Sequence, residues 1–373
     1  MHKSGPGFVG EPAGAEPELG PAALQRRFAD AFRIRPGVFW ADMLLSAGLG
    51  WSAFFVAGTS PRGSVLGVVA GIVACVALYR AVLFIHELAH LKRGALRGFE
   101  TVWNLVVGIP LGVPSLMYVG THADHHRNAL YGTSLDPEYE PMAYWSPVRI
   151  ALASLGVVFV PLLLVIRWGV VGPLSYLVPP LRDWAVTYAS TLVINVRYRR
   201  EYPRNKREVA RFALQEMGAA ALVWTLAYAL WTGALSPHWA LLWWSMGAGV
   251  LVLNQFRTLA AHRYESHGDP LDRESQLADS VNLTGDGLWT LLAAPVGLRF
   301  HALHHLMPAL PYHSLGRVHR ELIETLPERS IYRVTEEWSV LSTLRTLFIR
   351  TAYGNVQPEP EREVSGERAR GEA

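Results

Sequence analysis

The sequence predicts an all-α integral membrane fold: a helical bundle of two transmembrane hairpins under a helical cap on one aqueous side. Three observations predict it. Apolar residues gather in runs close to the roughly 20 needed to cross a bilayer, and charged blocks separate the runs. Successive runs are joined by short Pro-containing turns, Ser60-Pro61-Arg62-Gly63 and Ser236-Pro237. Histidines collect where runs end.

The 373 residues are 50% hydrophobic, yet mean hydropathy is only +0.17, because polar caps dilute the apolar spans. The single cysteine, Cys75, lies inside an apolar run, which excludes a disulfide framework and a Cys-rich zinc or iron–sulfur site. A net charge of +3 is mild and comes mainly from Arg-rich loops beside the membrane, so no nucleic-acid partner is implied.

Residues 1–36, rich in Gly, Pro, Ala and Glu, read as a flexible cytoplasmic N-terminus, with no secretory signal at the start. Residues 38–59 and 63–85 form the first hairpin, and the second run continues into His86. Residues 101–119 are apolar but broken by Gly108, Pro110, Gly112 and Pro114, so a buried or interfacial segment is expected rather than a span. The polar loop Tyr131 to Pro141 carries Asp136, Glu138 and Glu140. Residues 148–178 are apolar, with Arg167 and Pro173 inside. The basic block from Arg197 to Arg211 belongs on the cytoplasmic side by charge bias, so 148–178 is expected to re-enter or to form a short hairpin, with both ends on that side. Residues 212–232 and 238–260 form the second hairpin, which returns the chain at His262. A cap follows to Tyr353, giving one membrane domain over 37–353, and the charged segment 354–373 reads as a disordered tail. The Trp-rich stretches, Trp243-Trp244 among them, read as interfacial aromatics.

Three histidine clusters carry the chemistry. His86 and His90 stand at i and i+4. His122-Ala123-Asp124-His125-His126 and His301-Ala302-Leu303-His304-His305 both read H-x-x-H-H. Residues three and four apart share a helix face, so each triplet is expected to direct its imidazoles to one point. Of 14 histidines, eight lie in these clusters and His262 at a span end makes nine. Four imidazoles complete one zinc site, so this number suggests two metals, and imidazole suits iron, copper, zinc and nickel. Histidine near hydrocarbon is costly unless it is used. The predicted cap therefore holds a histidine-rich di-metal site. His267 reads as a residue behind the ligands or at the surface, with ligation as its alternative, and His313 and His319 read as cap or surface residues. Glu87, Asp124, Asp279 and Asp286 are candidates to steady the imidazoles.

The boxes H-E-L-A-H, H-A-D-H-H and F-H-A-L-H-H-x-x-P, carried on paired hairpins over roughly residues 38–320, resemble those of the membrane fatty acid desaturase/hydroxylase superfamily. That resemblance implies a helical bundle under a cytosolic cap with two iron ions between them and O2 as co-substrate. It implies His86, His90, His122, His125, His126, His301, His304 and His305 as ligands. His262 is similar to a further ligand at the end of the last span in an Asn-x-x-x-His pattern, although Thr258 replaces the Asn. The first box is H-x-x-x-H, the form of acyl-lipid desaturases, sphingolipid desaturases and alkane hydroxylases, which weighs against an acyl-CoA substrate. The expected activity is insertion of a double bond into the acyl chain of a fatty acid or lipid, with hydroxylation by the same centre as the alternative. Electrons would come from a separate donor of ferredoxin, rubredoxin or cytochrome type, since neither a haem-binding segment nor a nucleotide-binding glycine loop is visible. The basic block at Arg197 to Arg211 reads as a topology marker before it reads as a docking patch.

Two other classes compete. His86-Glu87-Leu88-Ala89-His90 meets the pattern of a zinc protease, but that reading leaves six clustered histidines without a role. A metal carrier would string its ligands along a transmembrane path, whereas these gather at one face.

Overall fold

The structure, a computed structural model, describes residues 19–353 except Arg93, Arg204 and Asp286. It is helical almost throughout; its β structure is one pair of two-residue strands, β1 (Asn282–Leu283) and β2 (Glu336–Glu337), in parallel among the described residues.

Residues 19–35, expected to belong to a flexible N-terminus, fold instead. Helix α1 (Pro21–Arg27) and a short 3-10 turn bury Leu24, Phe28 and Ala31, and Arg27 donates to Thr325 in the cap. These apolar side chains repeat at helical spacing, and burying them offsets the entropy cost of ordering the segment. The rest of the expected flexible N-terminus, and the expected disordered tail, lie outside the described residues.

Helix α2 (Pro36–Thr59) starts on a proline, which lacks the N–H that a first helical turn leaves unpaired. The chain reverses through Gly63, at φ +74°, where a side chain would be strained. Helix α3 (Val65–Val82) begins at Ser64, whose hydroxyl accepts from the Gly67 N–H. Small residues let α2 and α3 approach closely: a Cβ on Gly50 would lie 2.6 Å from Leu78 Cγ. The outward faces expose Leu45, Leu49, Leu66 and Ile72, which suits a lipid solvent. Helix α4 (Phe84–His90) prolongs α3 after a slight break and carries the first two histidines.

The broken segment after α5 (Phe99–Trp103) does not span. A π-helical turn at Asn104–Gly108 leads into an irregular loop closed by Asn104 and Ser115, which bond each other twice at 2.8 Å. Irregular backbone buried among membrane helices needs partners for its carbonyls. Three indole N–H groups supply them: Trp51 to Val106, Trp168 to Gly112 and Trp243 to Pro110. Trp243 and Trp244, read from sequence as interfacial aromatics, both donate to backbone carbonyls, Trp244 to that of Val158.

Helix α6 (His122–His125) is a single turn bearing the second box. Residues 147–175 form one bent helical run, with α7 (Pro147–Gly156), α8 (Val160–Ile166) and α9 (Gly172–Ser175) joined through a 3-10 and a π-helical turn. This run is long and apolar enough to cross a membrane, as are Pro36–Thr59, Val65–His90 and α11 (Lys206–Trp231). It is fastened near both ends: Ser154 accepts from Gln255 near the histidine end of α12 (Pro237–Leu259), and Arg167 reaches Ala189, Ser190 and Glu216. Helix α10 (Pro179–Tyr188) adds Arg182 to the same Glu216. Helix α12, the last expected span, is 23 residues long. It falls short of the apolarity that those four helices reach over a membrane-length stretch, because Trp239, Trp243, Trp244, Asn254 and Gln255 interrupt it.

The cap comprises α13 (Arg273–Asp279), α14 (Leu288–Ala293), α15 (His301–Leu306), α16 (Tyr312–Thr325), α17 (Ile331–Val334) and α18 (Val340–Tyr353). Much of the basic block is used internally: Arg197 pairs with Glu140, Arg200 donates to the Leu116 and Ser190 carbonyls, and Arg211 pairs with Glu100.

Candidate metal centre

All nine histidines singled out by sequence meet at one end of the bundle, in two groups. His86, His90, His122, His126 and His304 form one; His125, His262, His301 and His305 form the other. Within each group the candidate ligand nitrogens lie within 4.8 Å of one another.

The partition differs from the expectation that each H-x-x-H-H triplet converges on one point. His122 and His126 join the first group while His125, on the same turn, joins the second; His301 and His305 join the second while His304 joins the first. At 3.6 residues per turn, i+4 returns nearly over i, but i+3 lies roughly 100° away from i+4. One short helix therefore serves two neighbouring centres.

A backbone lacing positions the late ligands. Ser280 bridges to His262 and Asn282 to Phe300, the residue before the third box. The Val281 N–H donates to the Ala261 carbonyl, and the Val281 carbonyl accepts from Ala302. The Asn282 side chain accepts from the Leu303 N–H, at the start of α15. Two residues in this region, Tyr264 and Val296, adopt φ of 60° and 53°, uncommon for Tyr and strained for a β-branched residue.

The outer ring nitrogens are held by carboxylates. His122 Nδ1 lies 2.5 Å from Glu138, and His125 Nδ1 lies 2.9 Å from both Asp136 oxygens. Tyr131 donates to Asp279 at 2.8 Å, so its oxygen is left to accept from His262 Nδ1, also at 2.8 Å. Tyr118 steadies Glu138, and Tyr139 donates to the other Asp279 oxygen. A carboxylate only accepts, so the Nδ1 atoms of His122, His125 and His262 carry the protons and their Nε2 lone pairs face inward.

That donor set fits metal ions. Nε2 atoms approach in pairs, His122 to His126, His126 to His304 and His262 to His301 at 3.0 Å each, and His301 to His305 at 3.1 Å. Both ring nitrogens of His86, Nε2 of His90 and Nδ1 of His301 are buried without a hydrogen-bond partner. Buried ring nitrogens gathered this closely, several with no other partner, are a donor set suited to a cation. Burial, reinforced by neighbouring imidazoles, holds His122, His126, His301, His304 and His305 well below the ordinary histidine pKa, so they stay neutral and able to ligate. Burial also lowers His262. At His125 burial pulls down, but the Asp136 carboxylate outweighs it and holds the ring up.

Of the four acidic candidates, Asp279 supports His262 through Tyr131. Glu87 is buried, accepts from the Tyr312 N–H and lies 3.9 Å from His86 Nδ1. Asp124 faces Tyr198 and Arg127 instead of an imidazole, and Asp286 lies outside the described residues. Asp136 and Glu138 were not singled out by sequence; the signal was their place in an acidic loop shortly after the second box. His267 bonds Tyr144, His313 accepts from the Arg35 N–H, and His319 meets Tyr332, all apart from the centre. The zinc-protease pattern loses its appeal here, since His86 and His90 join three further imidazoles and a second group of four stands beside them.

The comparisons with known proteins agree with this geometry. The profile of the family described as "Fatty acid desaturase" matches residues 63–336. The chain is 38% identical over 320 residues, 86% of its own length and 90% of the relative's, to a "Ceramide hydroxylase" of Caulobacter vibrioides (strain NA1000 / CB15N). No solved structure matches.

Proposed function

The chain belongs to the fatty acid desaturase family, and we propose that within it this protein is an O2-dependent di-iron hydroxylase of a ceramide-type lipid. The observation that carries the di-metal reading is the separation of nine imidazoles into adjoining groups of five and four. The choice of hydroxylation over desaturation, which reverses the sequence expectation, is supported by the hydroxylase relative, similar along nearly its whole length.

In this reading His86, His90, His122, His126 and His304 hold one iron and His125, His262, His301 and His305 the other. A bound pair of ferrous ions supplies reductive activation of O2 for attack on an unactivated C–H bond. The net change balances as one lipid C–H, one O2, two electrons and two protons giving one C–OH and one water. The electrons come from a separate protein donor.

The chain's own residues do the rest. Glu138, Asp136 and the Tyr131–Asp279 pair fix ring orientation and keep each Nδ1 protonated, which aims Nε2 at the metal. Burial of the centre excludes bulk water, which protects the oxidant from side reactions. Neutral imidazoles leave the site uncharged by its ligands and keep coordination positions open for O2.

The test is lipid mass spectrometry of a host with and without this protein, grown under labelled oxygen. The expected result is a ceramide carrying one labelled oxygen atom. An added double bond without label would return the assignment to desaturase, and full activity in iron-stripped protein would remove both.

A further inference from the structure

Arg257 is a buried cation without a carboxylate partner. It sits on α12 five residues before His262 and is only 9% exposed. Its Nη2 donates to Asn254 Oδ1 at 3.2 Å and to Thr258 Oγ1 at 2.9 Å. Its Nε is buried with no hydrogen-bond partner, and no carboxylate lies within ion-pair distance among the described residues. Arg167, elsewhere in the bundle, also leaves one buried N–H without a partner, at Nη1, but its charge is paired with Glu216 at 2.6 Å.

The position matters as much as the missing partner. The guanidinium meets the hydroxyl of Tyr79, on α3 before the first box, and its charge bears on Glu138 as well as on His86, of the group of five, and His301, of the group of four, while its Nε stays without an acceptor. A cation within reach of two metal ions is repelled by them, and a desolvated guanidinium with an unused N–H carries a further cost. A buried ionisable side chain kept under such conditions, in the last turn of α12, is a sign of use. The missing complement is an oxygen acceptor that arrives with the substrate. A lipid has such acceptors at its polar junction, not along its hydrocarbon chain.

Resting on the hydroxylase reading above, we propose that Arg257 is a substrate-binding residue that takes the acyl carbonyl oxygen of an N-acyl lipid, with Asn254 and Thr258 holding its guanidinium in place. The polar junction is thereby anchored beside the histidine groups, and the carbons nearest that junction, in place of mid-chain carbons, are presented for oxidation. Neither a specificity for N-acyl lipids nor a regiochemistry follows from the histidines alone.

The experiment measures binding of a fluorescent N-acyl ceramide, and of an alkane of matched length, to the full-length protein in nanodiscs. Wild type, Arg257→Gln and Arg257→Lys are compared, and iron content is determined for each. Wild type is expected to bind the ceramide more tightly than the alkane. Arg257→Gln should weaken ceramide binding about tenfold or more, as removal of a charge-assisted hydrogen bond does, with alkane binding and iron content unchanged. Arg257→Lys, which keeps the charge, should recover part of the affinity. Equal ceramide affinity in wild type and Arg257→Gln would overturn this inference alone. Parallel loss of ceramide binding, alkane binding and iron would also overturn it, by showing a purely structural role. A wild-type protein that fails to bind ceramide while retaining its iron would overturn both this inference and the ceramide assignment.

Discussion

His262 and His301, 39 residues apart, bring their Nε2 atoms to 3.0 Å. The Nδ1 proton of His262 is committed to Tyr131, which itself donates to Asp279, so the facing Nε2 is a lone pair. His301 Nδ1 has no partner at all. His262 Nε2 therefore has no hydrogen to give across this contact, and a cation shared with His301 is the partner that the proposed metal centre would supply.

It follows that the two groups should load and lose metal separately. His301→Ala removes one nitrogen from the group of four and none from the group of five. Metal content of the purified protein should fall from about two ions per chain to about one. Elemental analysis checks this. Complete loss of metal would show that the groups are not independent.

The carboxylates behind the rings should act through affinity. Glu138→Ala removes the acceptor that fixes His122 while leaving every imidazole in place. Loss of such an outer partner typically weakens metal binding about 10- to 100-fold. Chelator competition should show that loss for the ion held by the group of five, with the other ion retained.

Glu216 should be a stability determinant away from the centre. Its two oxygens accept from Arg167, Arg182 and Tyr176, and the glutamate and Arg167 are nearly inaccessible. This cluster ties the bent run 147–175 and α10 to α11. Glu216→Ala strands a buried guanidinium, for which a loss of about 3–5 kcal/mol is expected. A thermal unfolding midpoint in detergent equal to that of the wild type would contradict it.

How much of this was legible in the sequence divides along physical lines. The nine imidazoles could be read because i, i+3 and i+4 spacing is a local property and histidine at a membrane exit is conspicuous. Their partition could not, since it depends on how the short turns at 122–126 and 301–305 are rotated against each other, which only the 280–283 lacing sets. The hairpin α2–α3 was visible as two apolar runs around Ser60 to Gly63. The fold of residues 19–35 was hidden by a composition rich in Gly, Pro and Ala, although Leu24, Phe28 and Ala31 already stood at helical spacing. Asp136 and Glu138 looked like ordinary loop acids because their partners are known only once the loop folds back on His122 and His125. Trp243 carried the signature of an interfacial aromatic, and its use as a donor to the broken loop shows only once that loop is folded.

His319 supplies a pH test that does not involve the metal centre directly. It is buried on α16 between Phe300 and Tyr332, with Glu336 at 3.9 Å. Burial, helped by the charges of Arg299 and Arg320, pushes its pKa down to about 4. In the unfolded chain the ring titrates near 6.5. Between these values the unfolded state binds the extra proton, so stability rises with pH there. The contribution is intact above about 6.5, shrinks as the pH falls towards 4, and is at most about 3 kcal/mol. His319→Gln removes the titration. Thermal midpoints of wild type and variant, compared between pH 7 and pH 5, should therefore show a smaller acid-induced drop in the variant. An identical drop in both would mean that the ring takes up its proton in the folded cap as easily as in the unfolded chain, against the burial on which this prediction depends.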